Sequence, residues 1–267
     1  MLKRQKNRFM NIASPLLNIL IKSIRNTRKL IIRDFNEIEK LQSSIKKNDL
    51  FLNNSKLKLQ TEISQILSKI KPGINIGIKN GSENKECWIL NFTDFYFNFA
   101  RANENVGFGI AYKTDKSIKT YLFYNPVKDD FFFFEKGAGA FKNDFRVRVS
   151  SKSEKKEIII GVYKKYEKND DKKIIKLIKN QLSEHSFNQR ESGSLAFDLC
   201  EFASGKIDCI FFANPTEEID LISKLILTEC GGKLNILKLG EDKVYVCTNK
   251  LIEKTVKEMV ENYIITS

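Results

Sequence analysis

Tyr124-Asn125-Pro126-Val127-Lys128-Asp129-Asp130-Phe131-Phe132-Phe133-Phe134-Glu135-Lys136-Gly137-Ala138-Gly139-Ala140-Phe141-Lys142-Asn143 is the stretch whose reading decides the fold. Its first residues close a strand. Asn125-Pro126 then turns the chain, because proline presets its backbone angle and asparagine hydrogen-bonds its own backbone in turns. Four consecutive phenylalanines leave no room for apolar-polar alternation, so they read as a strand buried on both faces. Gly137-Ala138-Gly139 supplies the next turn, and Arg146-Val147-Arg148-Val149-Ser150 follows. Working outward, strands are expected near 74–79, 87–91, 106–113, 119–125, 131–135, 157–163, 209–212 and 243–247. Helical spacing marks 13–36 and 54–70, and further helices are expected near 170–183, 194–204, 218–230 and 250–263. Such alternation predicts a layered α/β fold. The 267 residues suit a single domain of two packed halves, approximately 1–150 and 151–267.

Composition bounds the function classes. Hydrophobic residues make up 42% of the chain, as in ordinary globular proteins. The formal net charge is +13, which suits a nucleic acid, an anionic lipid or a phosphorylated ligand. An abundance of Lys, Ile and Asn along the whole chain also fits a compositional bias. The basic run Lys3-Arg4-Gln5-Lys6-Asn7-Arg8 precedes Leu16, Leu17, Leu20, Ile24 and Ile31 at helical spacing, which predicts an amphipathic helix packed on the core. No apolar run is long enough to span a bilayer and no signal peptide stands out, so the expectation is a cytoplasmic protein without a membrane partner. Cys87, Cys200, Cys209, Cys230 and Cys247 sit in apolar contexts without metal-ligand spacing and read as buried thiols. His185 lies in a polar stretch and reads as a loop residue.

The segment Trp88-Ile89-Leu90-Asn91-Phe92-Thr93-Asp94-Phe95-Tyr96-Phe97-Asn98-Phe99 carries the question of chemistry. It resembles the W-I-x-D-P-x-D-G-T-x-N-F motif of the inositol monophosphatase family, keeping Trp88, Ile89, Asp94, Asn98 and Phe99. The motif's first aspartate reads Asn91, its proline Phe92, and its phosphate-loop glycine and threonine Phe95 and Tyr96. Magnesium takes oxygen ligands in near-octahedral geometry, and two-metal phosphatases need several carboxylates at one spot. Asn91 keeps the shape of aspartate without its charge. The Tyr124–Ser150 region resembles the family's Y-N-P and E-x-G-x-G-A scaffold string. Gly193-Ser194-Leu195-Ala196-Phe197-Asp198-Leu199 and Ala203-Ser204-Gly205-Lys206-Ile207-Asp208 resemble G-S-A-A-L-D-L and A-x-G-x-x-D. There Gly205 is expected to cap a helix, and Asp198 and Asp208 to be structural. Glu218-Ile219-Asp220-Leu221-Ile222-Ser223 and Glu229-Cys230-Gly231-Gly232 resemble P-W-D-x-A-A and E-A-G-G.

The resemblance implies an α-β-α-β-α sandwich, a homodimer, magnesium as cofactor, and Asp94, Asp220 and the Asn91 position as metal ligands. The family's Glu-Glu pair reads Lys79 and Asn80, with Glu83 a possible substitute ligand. A lysine at the lost glutamate position can stand in for a metal ion between carboxylates. In the family's K-x-x-x-D-x-V-T-x-x-D, Asp49 is kept, while Leu52 and Ser55 replace the threonine and the last aspartate. Three functions follow. The first is a pseudoenzyme that keeps the scaffold for binding a partner or a phosphorylated small molecule. The second is a working magnesium-dependent phosphomonoesterase using Asp94, Asp220, Asn91 and Glu83. The third is a basic protein that binds RNA or a transcription complex on the same scaffold.

Overall fold

The computed structural model describes residues 13–41, 45–77, 86–92, 95–164 and 171–263. The chain divides into two compact units, Met1–Arg146 and Val147–Ser267.

In the first unit, helices α1 (Pro15–Arg25), α2 (Arg28–Leu41) and α3 (Ile45–Ile70) precede strands β1 (Asn75–Gly77) and β2 (Glu86–Asn91). A short helix α4 (Phe95–Phe99) follows, then β3 (Phe108–Thr114), β4 (Ser117–Asn125), β5 (Asp130–Glu135), β6 (Gly139–Lys142) and β7 (Phe145–Val147). The seven strands lie in sequence order across one sheet. Ser14 caps α1 by accepting from the Leu17 N–H at 3.4 Å, and Pro15 fills the first turn, where a missing N–H costs nothing. Leu17, Leu20, Ile24 and Ile31 are buried against Trp88, Phe108, Tyr124 and Phe131 of the sheet, as the spacing predicts. Phe131, Phe132, Phe133 and Phe134 are all at most 1% exposed, so both faces of β5 are buried.

One long helix over 13–36 is not what forms. The chain breaks at Asn26-Thr27, where the buried Thr27 hydroxyl donates to the Ile24 carbonyl at 2.8 Å. Side chains that bond locally compete with the helix ladder in this way. The break aims Arg28 at the carbonyls of Pro126 and Val127, at 2.9 and 3.3 Å. The turn itself is built as its residues dictate. The Asn125 side-chain oxygen accepts from the N–H groups of Val127 and Lys128, and its amide donates to the Glu104 carbonyl at 2.7 Å.

In the second unit, a 3₁₀ turn (Lys155–Glu157) leads into β8 (Ile159–Val162), and α5 (Asp171–Glu184), β9 (Asn188–Arg190) and α6 (Leu195–Ala203) follow. The unit ends with β10 (Cys209–Ala213), α7 (Glu217–Cys230), β11 (Lys233–Leu239), β12 (Asp242–Thr248) and α8 (Glu253–Tyr263). Its sheet has the order β11-β12-β10-β8-β9. Ile174, Ile178 and Leu182 of α5, with Val256, Met259 and Val260 of α8, cover one face through Ile160, Phe211 and Val246. Helices α6 and α7 pack on each other and on β10 and β11.

The scaffold motifs acquire physical reasons here. α6 ends on Ser204 as its cap, one residue before the expected Gly205, which follows at φ +73°. Gly231 ends α7 at φ +81°, a left-handed angle that glycine adopts without strain. Gly232 has a different task, since a Cβ there would sit 2.8 Å from the Phe202 ring. Asp208 is structural. One oxygen accepts from the Ser150 hydroxyl and the other from the Ile159 N–H at 2.8 Å, while Asn249 donates to the Ser150 oxygen at 3.0 Å. β11 has no counterpart among the expected strands. In Lys-Leu-Asn-Ile-Leu-Lys-Leu the polar positions are spaced unevenly, because this edge strand is only half covered. β9 likewise emerges from the polar stretch read as loop, just beyond the half-buried His185. All five cysteines are free and buried, and burial pushes the Cys230 thiol up to about 12.

Asp208→Ala strands two half-buried donors, and the expected cost is about 2 kcal/mol in urea unfolding, against about 1 kcal/mol for Ser150→Ala. Equal losses for the two variants would mean that the carboxylate does not organise this junction.

Candidate functional site

In the first unit, the motif positions are occupied by packing. Asn91 is the last residue of β2, buried and opposite Gly109 of β3. Phe92, at the proline position, stacks on Phe108 with ring centroids 5.4 Å apart. Asn98 is 1% exposed, and its amide donates to the Asn105 carbonyl at 2.8 Å, closing the loop after α4. Phe99 packs 5.9 Å from Phe35. Phe95 and Tyr96 open the helix α4 rather than a phosphate-binding turn. Their side chains, and the whole of Lys79, Glu83 and Asp94, lie outside the described residues. Ser55 is buried on α3, and its hydroxyl donates to Asp34 at 2.7 Å; Arg33 holds the other Asp34 oxygen, also at 2.7 Å. Leu52 belongs to the core, and Asp49 is exposed.

In the second unit, Thr216 caps α7, and Glu217, Glu218 and Asp220 occupy its first turn. Carboxylates belong there, near the positive end of the helix dipole. Asp220 lines a cleft of about 410 Å³ together with Asn214, Pro215, Glu217, Glu241, Lys243 and Tyr245. Asn214 shapes its floor. Its backbone sits at φ +44°, its side-chain oxygen accepts from the Lys243 N–H at 2.9 Å, and its amide donates to Asp242 at 2.7 Å.

Both oxygens of Asp220 are engaged. The Lys224 ammonium, one helical turn on, meets Oδ2 at 2.7 Å, and the Tyr245 hydroxyl donates to Oδ1 at 2.9 Å. Burial, with the Asp220 carboxylate beside it, pushes the Tyr245 phenol up to about 12. Sequence spacing alone holds the Lys224 contact, since Asp at i and Lys at i+4 share a helix face. Tyr245 comes from β12, and no local signal announces it. Among the described residues, no three His, Cys, Asp or Glu side chains form a metal-ligand cluster. A magnesium pair needs several anionic oxygen donors. The described residues offer at Asp220 a carboxylate already paired with a cation, and at Asn91 a neutral amide. In neither unit do the described residues alone supply the several carboxylates of a two-metal centre.

Two sheets with their covering helices define a layered α/β protein, with Asp220 in the first turn of α7. The sequence profile of the inositol monophosphatase family matches residues 14–264, and the chain belongs to that family. An inositol-1-monophosphatase from Mesorhizobium japonicum is 27% identical over 259 residues, covering 93% of this chain and 97% of the relative. A Nus factor SuhB from Buchnera aphidicola is 26% identical over 257 residues, covering 95% and 90%. Among solved structures, the extragenic suppressor protein suhB of Bartonella henselae superposes with a TM-score of 0.75 at 19% identity, covering 93% of this chain and all of the other. The Thermotoga maritima IMPase gives 0.73 at 21% identity, covering 93% and 97%. These likenesses establish the layered α/β fold.

Tyr245→Phe removes a hydrogen bond to a charged group, with an expected loss of about 1 kcal/mol at neutral pH. The folded protein holds this proton up to about 12, while an unfolded tyrosine releases it near 10.0. The stabilisation is therefore complete below the unfolded value and fades as pH rises through the folded one. Denaturant melts of wild type and variant are expected to converge over that alkaline window. A gap that persists to its upper end would contradict this account.

Proposed function

We propose that this protein keeps the inositol monophosphatase scaffold for binding and has largely given up magnesium-dependent phosphomonoester hydrolysis. The observation that carries this reading is the state of Asp220, whose two carboxylate oxygens are taken by Lys224 and Tyr245. The sequence supports it from the other side of the motif set: Asn91, Ser55 and Lys79 each replace a charged carboxylate of the family pattern. Removing anionic ligands removes the means by which metal ions clamp the attacking and leaving oxygens. The cleft persists, and its ligand class is that of the family, a phosphorylated polyol. Glu217 and Glu241 offer acceptors for hydroxyl groups, and Lys243 offers a cation for phosphate.

A second reading has its own support. The net charge is +13, and relatives of comparable identity carry the name Nus factor SuhB. On this reading the same scaffold binds RNA or a transcription complex.

The pure protein, assayed with inositol monophosphates and sugar phosphates in millimolar magnesium, is expected to release no more phosphate than its Asp220→Asn variant. Family-like turnover abolished by Asp94→Asn would falsify the binding-only reading. The second reading requires RNA affinity that falls steeply with salt, since phosphate contacts release counterions. Affinity flat in salt would remove it.

A further inference from the structure

The Asp220 carboxylate shares its cleft with two further carboxylates, those of Glu217 and Glu241. In a metal-dependent site, a divalent ion offsets such charge. Here one ammonium lies within hydrogen-bond distance of the carboxylate, and it belongs to the same helix: Lys224 Nζ stands 2.7 Å from Asp220 Oδ2, with the lysine side chain 51% exposed and the aspartate 18%. The Tyr245 hydroxyl fixes the other oxygen at 2.9 Å, so the carboxylate cannot swing away from the lysine without losing a bond. The lysine that lines the cleft, Lys243, is exposed on β12 with its backbone committed to Asn214.

We infer that Lys224 is a built-in counter-ion that occupies the divalent-cation position on Asp220, and that it renders this half of the site indifferent to magnesium. A carboxylate keeps spare lone pairs when it accepts two hydrogen bonds, so coordination is not blocked by saturation. It is blocked by charge: an incoming divalent cation meets a positive group a few ångströms away, and the two repel. The lysine that the sequence suggests as a surrogate, Lys79, lies outside the described residues; among those described, the ammonium on Asp220 is that of Lys224. The inference deepens the reading of a site turned from hydrolysis to binding, but its test reads cation binding rather than turnover. Phosphatase activity that Asp220→Asn leaves intact would overturn that reading and leave this one standing.

The test uses the full-length protein and magnesium chloride alone, with potassium chloride at matched ionic strength as reference. Lys224→Met keeps the apolar stem and the helix preference while removing the charge, and Lys224→Gln is the second neutral variant in case the first folds poorly. The wild-type melting temperature is expected to be the same in both salts. Each neutral variant is expected to melt about 1–2 °C lower in potassium chloride and to be partly restored by magnesium, since a ligand that binds the folded state raises its stability. Lys224→Arg, which keeps a cation, is expected to behave as wild type. Adding Asp220→Asn to Lys224→Met is expected to abolish the magnesium response, which ties it to this carboxylate. Calorimetric titration is expected to show magnesium binding at least tenfold tighter to Lys224→Met than to wild type. A wild type that magnesium stabilises as much as it does the variants, or neutral variants that do not respond to magnesium, would overturn the assignment.

Discussion

Tyr124 and Phe131 stack at 4.0 Å, with their ring planes 11° apart, across the turn that joins β4 to β5, and much of the first unit is arranged about that contact. The Tyr124 hydroxyl donates to Asp129 at 2.9 Å, and Phe108 meets the Tyr124 ring edge-on at 5.8 Å. Arg25 of α1 pairs with Asp129 at 3.3 Å and lies over the Phe131 ring. Burying two aromatic rings brings a large apolar area out of water, and the offset contact adds specificity to it. Because β5 is buried on both faces, a register slip by one residue would still leave phenylalanine on each face. The turn therefore has to set the register, and it does so through the three Asn125 hydrogen bonds and through Asn143, whose side-chain oxygen accepts from the Phe131 N–H at 2.9 Å.

The site obeys a different constraint, that of charge. An exposed lysine–aspartate pair one helical turn apart adds only about 0.3–0.5 kcal/mol to stability. Its bearing on chemistry is larger than its contribution to folding, because it holds a positive charge 2.7 Å from Asp220. A magnesium ion brings two charges and demands several oxygen partners at once; an ammonium brings one charge and is satisfied by a single carboxylate. A tethered lysine also carries no entropic cost of capture from solution.

Scaffold and site have thus parted company within one chain. The motifs that build turns, caps and helix junctions are present and do identifiable work: Gly231 at a left-handed angle, Gly232 against Phe202, Asp208 tying Ser150 to β8. The motifs that hold charge are altered. Relatives of similar identity carry both enzyme and Nus-factor names, and a fold hosts functions without dictating one.

The sequence by itself determined the fold class and most element positions, because buried strands, caps and glycine turns are local: Ser14-Pro15 starts a helix, and four phenylalanines in a row make a strand. It located Asp220 and, by helical spacing, could have shown Lys224 beside it. It did not show the break at Thr27, where a side-chain hydroxyl outcompetes the helix for the Ile24 carbonyl, nor the half-covered edge strand β11, whose pattern depends on how little packs on it. Above all it did not show Tyr245, which lies 25 positions from Asp220. That contact exists because β12 pairs with β10 and β11, and because α7 packs on the same face of the sheet. Local spacing encodes partners on one helix; only tertiary packing decides which strand residue completes the site.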